Sequence, residues 1–308
     1  PALLLTIDGP DFSFRVAKRV AGLACPKVHV VAPTVWAWRP KRAAKVARLY
    51  DHLLCLFPFE PPYFEVEGLP TSFIGHPLVT GPASQADPVG FLVKHDLDAS
   101  AETLLTVLPG SRRSEVTRLT PVFGDALALL QAKLGPVRAI IPTVPSVAAL
   151  VREATRGWPV PVTISDDPAD KYHAMAAGQV ALAASGTVSL ELALTNTPAV
   201  IAYRANGLSA AIFRRMAITK YVGLPNVILG KSLIAECLQE NCTAERLSQE
   251  IMRLITDPMA RDAVLTGYDS IAQQLGHGRR QPADMAADTL LGLLAGKPAS
   301  ASPEQPEA

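Results

Sequence analysis

The sequence predicts an α/β protein of the doubly wound type, with two Rossmann-like domains, mostly parallel sheets and a cleft between the domains. Short apolar runs alternate with amphipathic segments along most of the 308 residues, which is the pattern of βα units. Pro, Asp, Gly and Ser accumulate over residues 81–102 and indicate a linker. We therefore expect a first domain over 1–80, a second over 103–282, a C-terminal helix over 283–296 and a disordered tail over 297–308.

Four strands are expected in the first domain. The first is the apolar run Ala2–Ile7, which is followed by Phe12, Val16 and Val20, four residues apart on one face of a helix. A complete domain of this kind holds about six or seven strands, so the first domain is expected to be incomplete, with earlier strands preceding this sequence. The other three strands are expected at Val28–Val31, His52–Phe57 and Thr71–Ile74.

The second domain repeats the alternation. Its strands are expected at Thr103–Leu108, Val137–Ile141, Val160–Ile164, Gln179–Ala183 and Ala199–Tyr203. Further helices are expected at Arg42–Tyr50, Ala244–Ile255, Met259–Leu275 and Ala283–Leu294.

Composition excludes some classes of protein. A hydrophobic share of 49% against 19% charged residues suits a packed globular enzyme. The net charge of +1, from 29 basic and 28 acidic residues, gives no sign of a nucleic-acid partner. The mean hydropathy is high at +0.21, yet no apolar run reaches the roughly 18–20 residues that span a bilayer. The four cysteines lack metal-ligand spacing, which favours buried thiols in a reducing cytoplasm and no metal site.

The strongest phosphate-binding signal is the turn at Gly110, Ser111 and Arg112. It follows an expected strand and opens an expected helix, so backbone N–H groups face an incoming anion. Gly110 allows close backbone approach, and Arg112 supplies bidentate donors suited to a diphosphate. The alternative is a plain turn with a solvated arginine.

A second strand-to-helix junction carries Ser185, Gly186 and Thr187, whose hydroxyls and amides can cap the helix or hold a phosphate. Glu191 lies about one turn into that helix and could accept hydrogen bonds from two ribose hydroxyls. The alternative is an ordinary capped helix with a surface Glu. Two such junctions in one domain favour a nucleoside diphosphate, while the absence of a P-loop Lys-Ser/Thr argues against an ATPase.

Three further polar residues are candidates. Asn226 could read a uracil edge or a diphosphate oxygen, or it could simply form a turn. Asp8 follows the first strand and could be the general base that deprotonates an acceptor hydroxyl. Asp11 is expected to be the N-cap of the next helix.

Taken together, these segments resemble the lipid-A-disaccharide synthases, which have the glycosyltransferase-B fold. The resemblance extends from Leu3 to about Leu291, and its most specific part is the Trp-Ala-Trp-Arg segment. The matching segments, in order, are Val35–Arg39, Phe57–Glu60, Phe73–Pro77, Pro109–Arg112, Ala184–Glu191 and Tyr221–Asn226. The family's opening Gly-Glu-x-Ser-Gly-Asp loop has no counterpart before Asp8, which again implies that the first domain is incomplete here.

The resemblance implies a hexosyltransferase of lipid A and lipopolysaccharide biosynthesis. Such enzymes move 2,3-diacylglucosamine from UDP-2,3-diacylglucosamine to 2,3-diacylglucosamine 1-phosphate (lipid X), with inversion and without a metal or another cofactor. Matching the family's motifs to this sequence implies that Asp8 is the base and that Arg112 is the essential diphosphate ligand. Glu191 then binds the ribose and Asn226 the nucleotide.

The acylated substrates imply a protein of a Gram-negative bacterium, peripheral on the cytoplasmic face of the inner membrane. A homodimer is a candidate assembly. Candidate membrane or acyl contacts combine aromatic and basic side chains. They are Trp36, Trp38, Arg39, Phe213, Arg214 and Arg215. Core-facing helices with a solvated basic side are the alternative.

Two other readings of the sequence stay open. One is a different glycosyltransferase-B enzyme that uses a UDP-sugar, such as the enzyme of the peptidoglycan lipid intermediate, or the related UDP-sugar 2-epimerase. The other is an inactive nucleotide-binding fragment. The Trp-Ala-Trp-Arg segment is not expected in the enzymes of the first alternative. A UDP titration run beside a turnover assay distinguishes the fragment from an active enzyme.

Overall fold

The computed structural model describes residues 1–38, 40–205 and 219–296. Within them the chain forms two compact units. The first unit holds residues 1–80, Thr219 and 273–296, and the second holds 81–205 and 220–272. The part of the chain expected to be a disordered tail, 297–308, lies outside the described residues.

The first unit is built on a parallel sheet of the four expected strands. They are β1 (Leu4–Ile7), β2 (Lys27–Val30), β3 (His52–Cys55) and β4 (Thr71–Phe73), in the spatial order β1-β2-β3-β4. Adjoining helices span Pro10–Arg19, Val35–Trp38, Arg42–Ala47, Pro61–Glu65 and Pro282–Leu294.

Both faces of this sheet are covered at β2 and β3, as expected for parallel strands, whereas Leu5 and Ile7 of β1 are exposed. Leu53 and Cys55 of β3 point into one cluster, with Phe14 and Phe64 from the helices. Leu54, between them, points into the opposite cluster. There it meets Val28, Ile74 and, from the helix Pro282–Leu294, Met285, Leu290 and Leu293. The C-terminal helix is therefore part of the first unit.

The second unit is built on six parallel strands. They are β5 (Thr103–Leu108), β6 (Val137–Pro142), β7 (Val162–Ser165), β8 (Val180–Ala184), β9 (Ala199–Tyr203) and β10 (Ala235–Leu238). The spatial order is β7-β6-β5-β8-β9-β10, the doubly wound order in which chain direction across the sheet reverses between β5 and β8. The predicted fold class is confirmed. The short strand β10 was not expected, because Glu236 interrupts its apolar pattern.

Helices cover this second sheet. They span Pro88–Lys94, Arg113–Leu134, Pro145–Thr155, Lys171–Ala177, Val188–Leu194, Leu224–Leu229, Ala244–Thr256 and Pro258–Gln274, the last ending in the first unit. No helix within the described ranges is long and apolar enough to cross a bilayer.

The structure differs from expectation over residues 81–102. In place of a linker, this segment carries a 3₁₀ turn at Pro82–Gln85 and the helix Pro88–Lys94, whose N-cap Asp87 accepts a hydrogen bond from Gly90 N. Phe91 is buried in a cluster with Leu104, Ile140, Ala174 and Ala177. The buried Phe91 side chain therefore packs the polar segment onto the second unit.

We expect Gly178→Ala to destabilise the second unit by about 1–3 kcal/mol, as overpacking does. A Cβ at Gly178 would lie 2.5 Å from Thr106 N in the central strand β5. Gly157→Ala is the control, since nothing lies within 4 Å of a Cβ there. Chemical denaturation compares the two, and equal midpoints would contradict the expectation.

Candidate functional site

The two predicted phosphate loops leave the second sheet from neighbouring strands. β5 pairs with β8 in parallel, with Leu108 opposite Ala183. The turn at Gly110–Arg112 therefore starts beside the loop at Ser185–Thr187. This is the point where the strand order reverses, and ligands of doubly wound sheets bind in the crevice beyond it.

At the first loop, Arg112 and Glu115 form the capping box of the helix Arg113–Leu134, so the Glu115 carboxylate lies against the loop amides. This carboxylate accepts hydrogen bonds from Ser111 N at 3.1 Å and Arg112 N at 3.2 Å, and it pairs with the Arg112 guanidinium at 2.7 Å. Gly110 has a φ of +113°, and a Cβ there would lie 2.5 Å from Glu115 Cβ. The Arg112 side chain stays 77% exposed. Sequence reasoning missed Glu115, although an acidic residue in a first helical turn is a recognised signal.

At the second loop, Gly186 and Thr187 are exposed and Ser185 is half-buried. Thr187 is the N-cap of the helix Val188–Leu194, yet its side chain makes no capping hydrogen bond, contrary to the capping expectation. The buried Ser189 donates to Gly186 O at 2.8 Å and accepts from Leu224 N at 3.2 Å. Ser189 thus ties this loop to the segment at Leu224, and Ser185 N donates to Ala202 O of β9.

Glu191 is engaged by two residues that the sequence analysis did not single out. Its Oε1 accepts from Lys171 Nζ at 2.6 Å and from the Tyr172 hydroxyl at 3.2 Å. Twenty residues separate Lys171 from Glu191, so no local pattern could have indicated the pair.

Asn226 has a role different from the predicted nucleotide contact. Its side chain is fully buried. Its amide nitrogen donates to Ile234 O at 2.9 Å and to Glu236 Oε1 at 2.8 Å, and its oxygen accepts from Leu233 N and Ile234 N. All four bonding positions of the amide are therefore taken within the chain. Asn226 anchors the loop before β10, and no part of it is left for a uracil edge.

Asp8 lies at the carboxyl end of β1, exposed, with a φ of +48°. Ser13 Oγ donates to its backbone oxygen at 2.6 Å. The following residue, Gly9, is the N-cap of the next helix, so the expectation that Asp11 caps it is wrong. Asp11 instead pairs with Arg42 at 3.3 Å.

A buried imidazole lies on the same sheet as Asp8. His29 on β2 pairs in register with Thr6, whose hydroxyl lies 2.8 Å from His29 Nδ1. Burial lowers the His29 pKa to about 4, against the opposing effects of Thr6 and the Asp8 charge. The ring is therefore neutral near pH 7.

The carboxyl edge of the first sheet also carries a row of aromatic rings. Trp36 packs edge-on against Phe59 at 5.3 Å, Phe59 stacks on Phe57 at 5.4 Å, and Phe57 meets His76 at 5.2 Å. Trp36 is half-buried in this row, and its expected membrane or acyl contact stays a prediction. The Trp38 side chain, Arg39, Phe213, Arg214 and Arg215 lie outside the described residues.

Glu60 fixes the backbone that carries Phe57, one member of this row. The side chain is buried, and Oε2 accepts from Leu56 N at 3.1 Å and Phe57 N at 3.0 Å. Burial raises the Glu60 pKa to about 7, although the two amides oppose the shift.

We expect Glu60→Gln to change how stability depends on pH. The ordinary pKa of 4.5 applies to the unfolded chain and a pKa of about 7 to the folded one, so the folded state binds more protons between these values. The stability of the wild type relative to Glu60→Gln should therefore fall as pH rises from about 4.5 to about 7. Denaturation at pH 5 and pH 8 measures this, with the exposed Glu67→Gln as control. A difference independent of pH would contradict the assignment.

The chain has two Rossmann-like units, and one of them carries the two candidate phosphate loops at its switch point. This is the architecture of a glycosyltransferase-B type of protein. Solved structures agree on this fold. A putative UDP-N-acetylglucosamine 2-epimerase from Listeria monocytogenes gives a TM-score of 0.67 at 12% identity, covering 99% of this chain and 78% of that one. The calicheamicin glycosyltransferase CalG4 gives 0.55 at 17% identity, covering 97% and 75%.

Sequence comparison then identifies the family. The family model described as lipid-A-disaccharide synthetase matches residues 1–289. The lipid-A-disaccharide synthase of Rhodospirillum centenum is 49% identical over 296 residues, 96% of this chain and 74% of that protein. The chain belongs to the lipid-A-disaccharide synthase family, which confirms the resemblance seen in the motifs.

Proposed function

We propose that this chain catalyses the inverting transfer of 2,3-diacylglucosamine from its UDP derivative to lipid X. The products are the β(1→6)-linked lipid A disaccharide 1-phosphate and UDP. The observation that supports the proposal most is the adjacency of the two anion-binding loops at the β5–β8 switch point. A UDP leaving group in that crevice lies against Arg112 and the helix amides.

On the donor side, positive charge stabilises the departing diphosphate. Arg112 is fixed at one edge by Glu115 and exposed elsewhere, so its guanidinium can bind phosphate oxygens. An exposed pair of this kind is worth under about 1 kcal/mol, and a doubly charged diphosphate competes for it readily. Arg112 and the amides supply the charge in this proposal, which includes no metal and no other cofactor. Glu191 binds the ribose.

On the acceptor side, Asp8 accepts the proton of the lipid X 6-hydroxyl. As the bond from that oxygen to the anomeric carbon forms, the bond from the carbon to the diphosphate oxygen breaks, and UDP leaves with the electron pair. The exposed position of Asp8 beyond β1 suits a group that must meet a substrate. We propose that the acylated substrates are reached from the cytoplasmic face of the inner membrane, with the chain peripheral to it as a homodimer.

Calorimetric titration with UDP, run beside a turnover assay with both lipid substrates, tests the function. We expect binding and turnover. Binding without turnover would favour the nucleotide-binding fragment, and absence of both would contradict the proposal.

Asp8→Asn should lower turnover about 100-fold or more, the usual effect of removing a general base, and leave UDP affinity unchanged. The matched control is Asp11→Asn, three residues later, whose side chain is 92% exposed. More than about a tenth of wild-type turnover in Asp8→Asn would rule out the base assignment, because that is under 1.4 kcal/mol of barrier.

Arg112→Ala should reduce transfer below about a tenth of wild type and weaken UDP binding, because the leaving diphosphate loses its charged donor. Arg156→Ala is the control: Arg156 makes an exposed pair with Glu153, also at 2.7 Å and three residues apart, in the same unit. Equal effects of both substitutions would show that Arg112 is merely a surface arginine.

A further inference from the structure

Lys171 and Tyr172 converge on one oxygen of Glu191. The Lys171 Nζ and the Tyr172 hydroxyl lie 2.6 Å and 3.2 Å from Glu191 Oε1, and neither contact uses Oε2. The Glu191 side chain is only 13% exposed and that of Lys171 39%. The carboxylate is therefore held in one orientation, with its second oxygen left for another donor.

The three residues come from two separate elements of the second unit. Lys171 and Tyr172 begin the helix after β7, while Glu191 lies in the helix after β8, where its amide bonds to Thr187 O. Both helices start at the carboxyl edge of the sheet, on the side of the phosphate loops.

The start of the Lys171 helix is rigidly fixed. Asp170, next to it, is buried and binds Ser165 Oγ at 2.7 Å, Lys94 Nζ at 2.6 Å and His95 Nε2 at 3.1 Å. The backbone that carries Lys171 is therefore held in place independently of the pair with Glu191.

Charge explains why such a pair is needed. A carboxylate of low exposure is held most firmly by a charge-assisted hydrogen bond from a cation. Burial alone lowers the pKa of Lys171, but the hydrogen bond and charge of Glu191 outweigh it, and the pKa lies above its ordinary value. The Lys171 ammonium thus stays charged where it contacts Glu191 Oε1.

We propose that Lys171 and Tyr172 are positioning residues that orient the Glu191 carboxylate towards the 2′- and 3′-hydroxyls of a uridine nucleotide, making the site selective for ribose over 2′-deoxyribose. This inference rests on the proposed function, in which Glu191 binds the ribose. It adds the residues that set sugar selectivity.

The test is calorimetric titration of the whole chain with UDP and with 2′-deoxy-UDP. Loss of one hydrogen bond to a charged acceptor corresponds to about a tenfold or greater preference for UDP in the wild type. Lys171→Met should bring the ratio of the two dissociation constants close to one, and Lys171→Arg should restore part of it. Tyr172→Phe, which removes only a hydroxyl, should lower the ratio by a smaller factor without a change in folding.

Arg138→Met is the matched control, because it also deletes a short cation–carboxylate pair of low exposure in the same unit, between Arg138 and Glu102, but touches neither Glu191 nor Asp170. Its ratio should equal that of the wild type. If Lys171→Met weakens UDP and 2′-deoxy-UDP equally and keeps the ratio, the inference is overturned while the proposed function stands. A wild type that binds neither nucleotide overturns both.

Discussion

The parallel pairing of β5 with β8 is the contact on which the candidate donor site depends. These strands are distant in sequence, and each leads into one of the two candidate phosphate loops. Their register sets Leu108 beside Ala183, so the two loops emerge side by side. Side chains on both faces of both strands are buried and closely packed, so a slip in register would move each of them out of the site it fits. The position of Arg112 relative to Thr187 is thus determined by packing well below the surface.

Two ion pairs within the second unit then orient the charged side chains of that candidate site. Each of the two loops has a carboxylate nearby, Glu115 at the first and Glu191 at the second, and each carboxylate is matched to a cation, Arg112 and Lys171. The two carboxylates are similarly covered, but the cations differ: the Arg112 side chain is 77% exposed and that of Lys171 39%. The first pair is therefore the easier to break, as the proposed binding of a diphosphate by Arg112 requires.

Much of the fold follows from local patterns, and less of the site does. Nine strands were predictable because apolar runs of four to six residues between polar turns have few other uses in an α/β chain. The strand at Ala235–Leu238 was not, because its Glu236 serves Asn226 and the amides of Val222 and Gly223, which is tertiary information. Gly110 and Arg112 were visible as a strand–turn–helix motif. Lys171 was not, because its significance lies in a partner on another helix.

The helix Pro282–Leu294 has a consequence for the order of events during synthesis. Its residues Met285, Leu290 and Leu293 cover a sheet face formed by Val28, Leu54 and Ile74. On a ribosome, that face is made early and its cover more than two hundred residues later, after the whole second sheet has emerged. The second unit can therefore complete its core while the first still exposes apolar surface, a state that invites chaperones. The strands β1 to β4 thus wait for a helix that is made only after the whole second sheet.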